Sequence, residues 1–371
     1  MVRNHNLLKK NRFMKKYLFT IAVLGVVLSG CHNGDVKFDD FEYQTMYFAK
    51  QSPVRTITLG DDGDYDTSDD NAHRCYIKAT LGGVNVNTAC HSAAFTIDNS
   101  LCDNLVFAST GAPVKAMPSN YYEIIGDEML IAPGEVIGGV RVELTDAFFN
   151  DPEAVGLSYV IPVRLTSSAD SILSGTPKDG IVNPNRLVAD HWAIQPKDYT
   201  LYAIQYKNRY HGCWLSKGED VSENRGQSTT NTRNPEFWEK ATLRYLTTRS
   251  LSTSVYSFSF TVPSVNAFGE KSEKNISCDL LLNIDDNGTC TVTTQTAGCT
   301  ASGSGKWTHK GEPKAWGDKD RDLLELKYNF TISYVYNDMT GETATYKYSS
   351  DERMVMRDRQ NHLEEFSFTV K

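Results

Sequence analysis

The residue whose setting most clearly specifies a chemical fate is Cys31. It follows Leu28-Ser29-Gly30 at the end of the charge-free run Tyr17–Leu28, which is preceded by Lys9, Lys10, Arg12, Lys15 and Lys16. A basic stretch, a short apolar run and small residues before a cysteine describe a secretory signal ending in a bacterial lipobox. In that setting the thiol is diacylated and becomes the mature N-terminus. The apolar run is too short for a span, which takes about 20 residues across roughly 30 Å of hydrocarbon. Acyl chains contribute ~0.8 kcal/mol per buried CH₂, so two or three of them anchor a chain without a helix. Residues 1–30 therefore read as a signal peptide, with Met14 a more natural start than Met1, and the expected address is the outer membrane, facing the cell surface.

Other side chains offer less. Asp61, Asp62, Asp64, Asp66, Asp69 and Asp70 crowd one stretch, yet an EF-hand loop counted from Asp62 needs Gly sixth and Glu twelfth, where Thr67 and His73 stand. A solvated loop is the reading, and no metal is assigned. In Trp316-Gly-Asp-Lys-Asp-Arg-Asp322, Asp318, Asp320 and Asp322 alternate and could converge on a cation or on sugar hydroxyls. Arg321, Arg357 and Arg359 could instead pair with them bidentately, and an ion-pair network at a barrel end is the favoured reading. No G-x-S-x-G, H-E-x-x-H or P-loop pattern is present. A glycosidase needs two carboxylates about 5–9 Å apart, and 46 acidic residues always allow such a pair to be imagined. No catalytic residue and no cofactor are expected.

Binding has a better physical case. Sugar rings present apolar C–H faces that stack on aromatic rings, and Trp214, Trp238, Trp307 and Trp316 lie in the second half with Tyr206 and Tyr210. The candidate ligand residues are Trp316, Trp238, Trp214, Tyr210, Asp318 and Asp320, with the loop positions of Trp238 and Trp316 weighing most. Besides Cys31 there are seven cysteines, an odd number without a CxxC pair or histidine cluster, which argues against zinc and against a fully paired framework. Cys278 and Cys299 could bridge a hairpin, though buried free thiols are favoured. Removing six basic and no acidic residues with the signal leaves 32 against 46, a net charge of −14. So acidic a body argues against nucleic acid and against anionic lipid surfaces.

The elements that must carry these residues are strands. Residues 31–42 are a polar tether. From Tyr43 onward alternation of period 2 recurs, in Cys75–Leu81, Val140–Leu144 and Tyr159–Leu165, where Pro162 implies an edge or a bulge. Gly175-Thr-Pro177, Asp179-Gly180 and Asn183-Pro184 punctuate a linker over 176–197. Beyond it, Tyr256–Val262 and Leu324–Tyr336 alternate, and Asp285-Asp286-Asn287-Gly288 marks a hairpin. Phe366, Phe368 and Val370 form a closing strand. The one helical signal is Asn234 as N-cap, Pro235 and then Glu236–Lys240. About nine or ten strands over 198–371 fit an up-and-down barrel.

Tyr65-Asp-Thr-Ser-Asp-Asp-Asn71, Gly82-Gly83, Met117–Tyr122, Ala132-Pro-Gly-Glu135 and Tyr159–Arg164 resemble an N-terminal domain of Bacteroidota surface lipoproteins, Ig-like and sometimes attached to endo-β-N-acetylglucosaminidases. Tyr202–Tyr206, Tyr210-His-Gly212, Trp316–Asp322 and Arg357-Asp-Arg359 are similar to a lipocalin-like module that follows it in polysaccharide-utilisation lipoproteins. The resemblance implies an all-β protein, an Ig-like β-sandwich over 43–175 and a lipocalin-like β-barrel over 198–371. It also implies a glycan-acquisition setting, with glycan and an outer-membrane uptake complex as partners. The reading is a non-catalytic glycan-binding or accessory protein; the alternatives are a purely structural subunit and a glycoside hydrolase. Cells fed a fatty-acid analogue should label the wild-type chain and not Cys31→Ala, and equal labelling would defeat the anchor.

Overall fold

In a computed structural model, residues 41–361 and 364–371 are described; the signal peptide, Cys31 and nearly all of the tether lie outside them. Phe41–Glu42 and Gly83–Asn85 fall outside the compact unit formed by Tyr43–Gly82 and Val86–Lys371. That unit is all-β. Among the described residues no helix is long and apolar enough to cross a membrane.

Two sheets form the first module. One runs in the order Ser171–Ile172, Thr45–Tyr47, Arg74–Gly82, Ile137–Leu144, Tyr122–Ile125. The other runs Glu364–Glu365, Pro53–Thr58, Tyr199–Lys207, Tyr159–Ser168, His91–Ile97, Glu128–Ile131. Alternation decides which side chains go inside: Cys75, Ile77, Ala79 and Leu81 are buried while Tyr76 and Lys78 are exposed. Gly138 lets its strand pass close to Glu128–Ile131 of the other sheet, since a Cβ there would lie 2.0 Å from Leu130 O, and one on Gly139 would lie equally close to Ile77 O on its own neighbour strand. The strand carrying Pro162 is central, not an edge. Its carbonyl accepts from Asp98 N (2.8 Å), so its missing N–H faces the point where the partner strand has stopped at Ile97. The bulge falls later, between Leu165 and Ser167.

Nine strands build the second module: β1 Gly212–Asn224, β2 Gln227–Arg233, β3 Thr242–Thr248, β4 Thr253–Val265, β5 Lys271–Ile284, β6 Thr289–Thr294, β7 Cys299–Trp316, β8 Lys319–Asn337 and β9 Glu342–Asp358. From β3 to β9 each pairs antiparallel with the next, and β9 pairs back with β1, closing an up-and-down barrel. The expected Asn287-Gly288 hairpin joins β5 to β6, with Gly288 at φ +79°. Inward positions fill the interior with Trp214, Tyr256, Phe258, Leu280, Leu326, Tyr328, Phe330, Tyr348 and Met354. The helix expected at Glu236–Lys240 shrinks to a 3₁₀ turn, Trp238–Lys240: one turn is too short to nucleate an α-helix. All seven described cysteines are free thiols, Cys278 and Cys299 included.

Strand pairing also moves the module boundary. Residues 176–197 are not an open linker: Thr176–Pro177 pairs with Trp192–Ile194, Trp192 is buried, and Arg186 forks onto buried Asp198. Tyr199–Lys207, expected to open the barrel, pairs with Tyr159–Ser168 and Pro53–Thr58 in the first module. Phe368–Val370 returns to pair with Leu105–Phe107. Alternating apolar residues specify a strand but not which sheet claims it.

The crossing is held by Arg359, 2% exposed. Its guanidinium donates to four main-chain carbonyls, His211 (2.7 Å), Leu59 (2.9 Å), Asn208 (2.6 Å) and Asp61 (3.2 Å). Beside it, His211 Nδ1 accepts from Thr248 N at 3.1 Å. Burial, aided by the nearby charges of Lys207 and Arg359, lowers the His211 pKa to about 3, so the ring is neutral at pH 7. The unfolded ring takes a proton near pH 6.5. Stability from this group is therefore complete above pH 6.5 and is lost as pH falls from there toward 3, at up to about 1.4 kcal/mol per pH unit. Denaturant titrations across that window should show this slope, and His211→Gln should flatten it.

Candidate functional site

The residues singled out by sequence do not converge on one site. Trp214 and Tyr210 are interior: Trp214 is 0% exposed and its indole N–H donates to Tyr210 O at 3.0 Å. Trp238 and Trp316 are half-buried against an outer cluster of Leu215, Ala241, Ala315, Leu323 and Val355. Each has a cation over its ring, Lys217 at 4.4 Å and Arg357 at 5.3 Å. Trp238 also lines an outer groove of about 440 Å³ with Lys217, Glu219 and Arg353.

Asp318 and Asp320 line a separate depression of about 500 Å³ between the β7–β8 ribbon and the Asp61–Gly63 loop. Their carboxylates serve that ribbon. Asp320 accepts from Lys314 N (3.0 Å), Asp322 from Lys310 N (2.9 Å), and Asp318 pairs with Lys314. The expected arginines act elsewhere: Arg321 donates to Trp316 O, Arg357 covers Trp316, and Arg359 holds the crossing. In the acidic loop, Asp61 pairs with Lys310, Asp62 accepts from Asn361, Asp69 pairs with Arg74, and Asp70 pairs with Arg55 while accepting from Thr58 N. Among the described residues no group of three or more His, Cys, Asp or Glu is arranged to hold a metal ion.

Inside the barrel, inward positions carry a polar network absent from the sequence reading. Glu352 is fully buried and accepts from Tyr328 OH (2.9 Å), Tyr256 OH (3.1 Å), Ser216 Oγ (2.5 Å) and Arg233 Nη2 (3.2 Å). Arg233 forks onto Asp220 at 2.6 and 2.7 Å, and Ser350 Oγ adds 2.8 Å. Burial pushes the Asp220 carboxyl up, but the Arg233 fork and Ser350 hydroxyl outweigh it and hold its pKa below the ordinary value. Burial, and then the Glu352 charge, raises Tyr256 well above its usual range; Tyr328 is raised by burial and by its charged neighbours. Both phenols therefore remain donors. The signal for this network was the alternation itself: Tyr346, Tyr348, Ser350, Glu352, Met354 and Met356 form one inward set.

Beside the network the barrel wall opens. Both β2 and β3 pair with the same edge of β1, one after the other. Consequently β4 meets β3 only over Ser254–Tyr256, and its edge from Ser257 to Ser264 has no strand partner among the described residues. A slot of about 330 Å³ lies there, lined by Phe258, Phe260, Tyr348, Arg244, Asp220 and the lip residues Thr229, Asn231, Ser257 and Ser259. Phe258 and Phe260 stack with planes 11° apart, and Phe260 meets Tyr348 at 5.3 Å. Such a wall accepts the apolar face of a flat ring, and the lips offer hydroxyl and amide groups to its substituents.

A family model described as a domain of unknown function, DUF5627, matches residues 209–360, and an N-terminal-domain model matches 41–172. The first span leaves out all three strands that residues 198–371 contribute to the first module. The chain is similar to a Bacteroides ovatus protein of unknown function, with 34% identity, 89% of this chain and 100% of that one covered, and a TM-score of 0.75. A second unknown-function protein of that organism has 12% identity, covers 88% and 100%, and has a TM-score of 0.37. A multidomain protein including DUF1735, also from it, has 10% identity, covers 84% and 94%, and has a TM-score of 0.36. The last two carry no argument. No curated protein matches the sequence.

Removing Glu352 would leave Arg233 facing one carboxylate in a buried site. Glu352→Ala should cost about 3–5 kcal/mol and Tyr328→Phe about 1–2 kcal/mol, both read by urea denaturation. Equal, near-zero losses would show that the network is not a structural element.

Proposed function

The chain belongs to the family of that Bacteroides ovatus protein of unknown function, and from this premise we propose a lipid-anchored, non-catalytic envelope protein that captures glycan. The observation that carries the reading is the side slot: stacked rings as one wall, hydroxyl and amide groups on the lips, and room for about one sugar ring. Its placement differs from the barrel rim at Trp316 that the sequence favoured. Trp316 is half-buried and has a cation over its ring, whereas Phe260 is half-buried at an opening.

Two features support the absence of catalysis. Glu352 and Asp220 are each saturated by donors, so neither has a lone pair aimed at a substrate proton. Both also share Arg233, which ties the two carboxylates to one cation and leaves neither free to face a substrate. Capture by an anchored accessory protein of polysaccharide uptake fits the resemblance noted in the sequence. The rival structural-subunit reading draws on the filled interior, which leaves no axial lumen for a ligand.

Stacking and a few hydroxyl contacts imply dissociation constants from high micromolar to millimolar, roughly 4–6 kcal/mol. On a glycan array or affinity gel the full chain should be retained, Asn231→Trp at the exposed lip should abolish retention by filling the slot, and Trp316→Ala should leave it unchanged. Failure of the wild-type chain to bind any saccharide would overturn the reading.

A further inference from the structure

Arg244 projects from β3 opposite Trp214, at an inward register position in the barrel wall. Its side chain is 23% exposed, its Nε is buried without a hydrogen-bond partner, and its closest carboxylate, Asp220, lies 3.9 Å from Nη2. That carboxylate is already held by the Arg233 fork and Ser350, and Glu352 by its four donors. A buried Nε–H that goes unused is costly, and such groups in native structures call for a physical reason. The guanidinium sits 5.8 Å from the Phe258 ring centroid, at the slot wall that Phe260 and Tyr348 continue.

We infer that the slot takes an acidic sugar, its ring on the Phe258–Phe260 wall and its carboxylate or sulfate on the Arg244 guanidinium. This rests on the glycan reading above and narrows it. The planar fork of arginine matches an oxyanion in a way that a lone hydroxyl does not. Neutral rings can stack on the same wall, but they leave most of the Arg244 donors without an acceptor. The slot's volume is at the low end of ligand pockets, enough for one substituted ring with the rest of a chain outside.

Calorimetric titration of the full mature chain with uronate oligosaccharides, sulfated oligosaccharides and their neutral counterparts tests this, the first two arms telling carboxylate from sulfate. At least one acidic arm should bind about tenfold more tightly than the neutral arm. That advantage should shrink as salt rises to roughly 0.5 M, where screening is strong. Arg244→Gln should bring acidic ligands down to the level of the neutral arm; should this variant not fold, the salt series on the wild-type chain decides. Equal affinity for acidic and neutral saccharides would overturn the charge assignment alone. Binding of no saccharide would overturn both readings.

Discussion

A single buried guanidinium holds the two modules in one unit. Arg359 makes no ion pair among the described residues; its charge is solvated by main-chain carbonyls from two segments, which strand pairing brings side by side next to the end of β9. Leu59 and Asp61 follow a strand of the first sheet system, Asn208 and His211 lie on the outward crossing, and Arg359 itself lies on the return. Burial lowers its pKa to about 10, which still leaves it charged at neutral pH. Asn208, wholly buried, completes the arrangement by donating to Ser250 O and Thr253 O and accepting from the amides of Tyr210 and His211.

With the crossing fixed, the barrel solves two packing problems differently. Most of its interior is apolar, but one region substitutes a three-charge polar cluster for what hydrophobic residues could fill at equal or lower cost. What that cluster does is lock the register of β1, β2 and β9 together, since Ser216, Asp220, Arg233, Ser350 and Glu352 satisfy one another only in this alignment. The opposite side of β1 is shared by two short strands, and the cost of that economy is an unpaired edge on β4. Ser257, Ser259 and Thr261 keep its outer face polar, and Pro263 interrupts its run of donors, as natural edges do to resist pairing with other chains. The slot is thus a byproduct of connectivity that the side chains have made soluble and receptive.

Much of this was legible. Alternation gave the buried sets on Arg74–Gly82, β4, β5 and β8, and Asn-Gly gave the β5–β6 turn. What alternation could not supply was partnership, because a strand's own residues say which face is buried and not beside which strand it lies. Hence Tyr199–Lys207 read as barrel and pairs in a sheet. The site was harder for a related reason. Aromatic residues were sought in loops, where exposure is the default, while Phe260 and Arg244 sit within strands and owe their access to a missing neighbour. Arg321 and Arg359 read as partners for aspartates, yet their acceptors are carbonyls, which no sequence pattern announces.

The return of Glu364–Glu365 and Phe368–Val370 to the first module has a temporal meaning. Phe366 and the strand after it cover Leu105, Phe107, Leu201 and Ala203, so the module whose residues are synthesised first lacks part of its core until the final ones emerge. The barrel, by contrast, is contiguous and can close while its host is still unfinished. The second half can therefore fold before the first is complete, with Phe366 and Phe368–Val370 closing the first module's core.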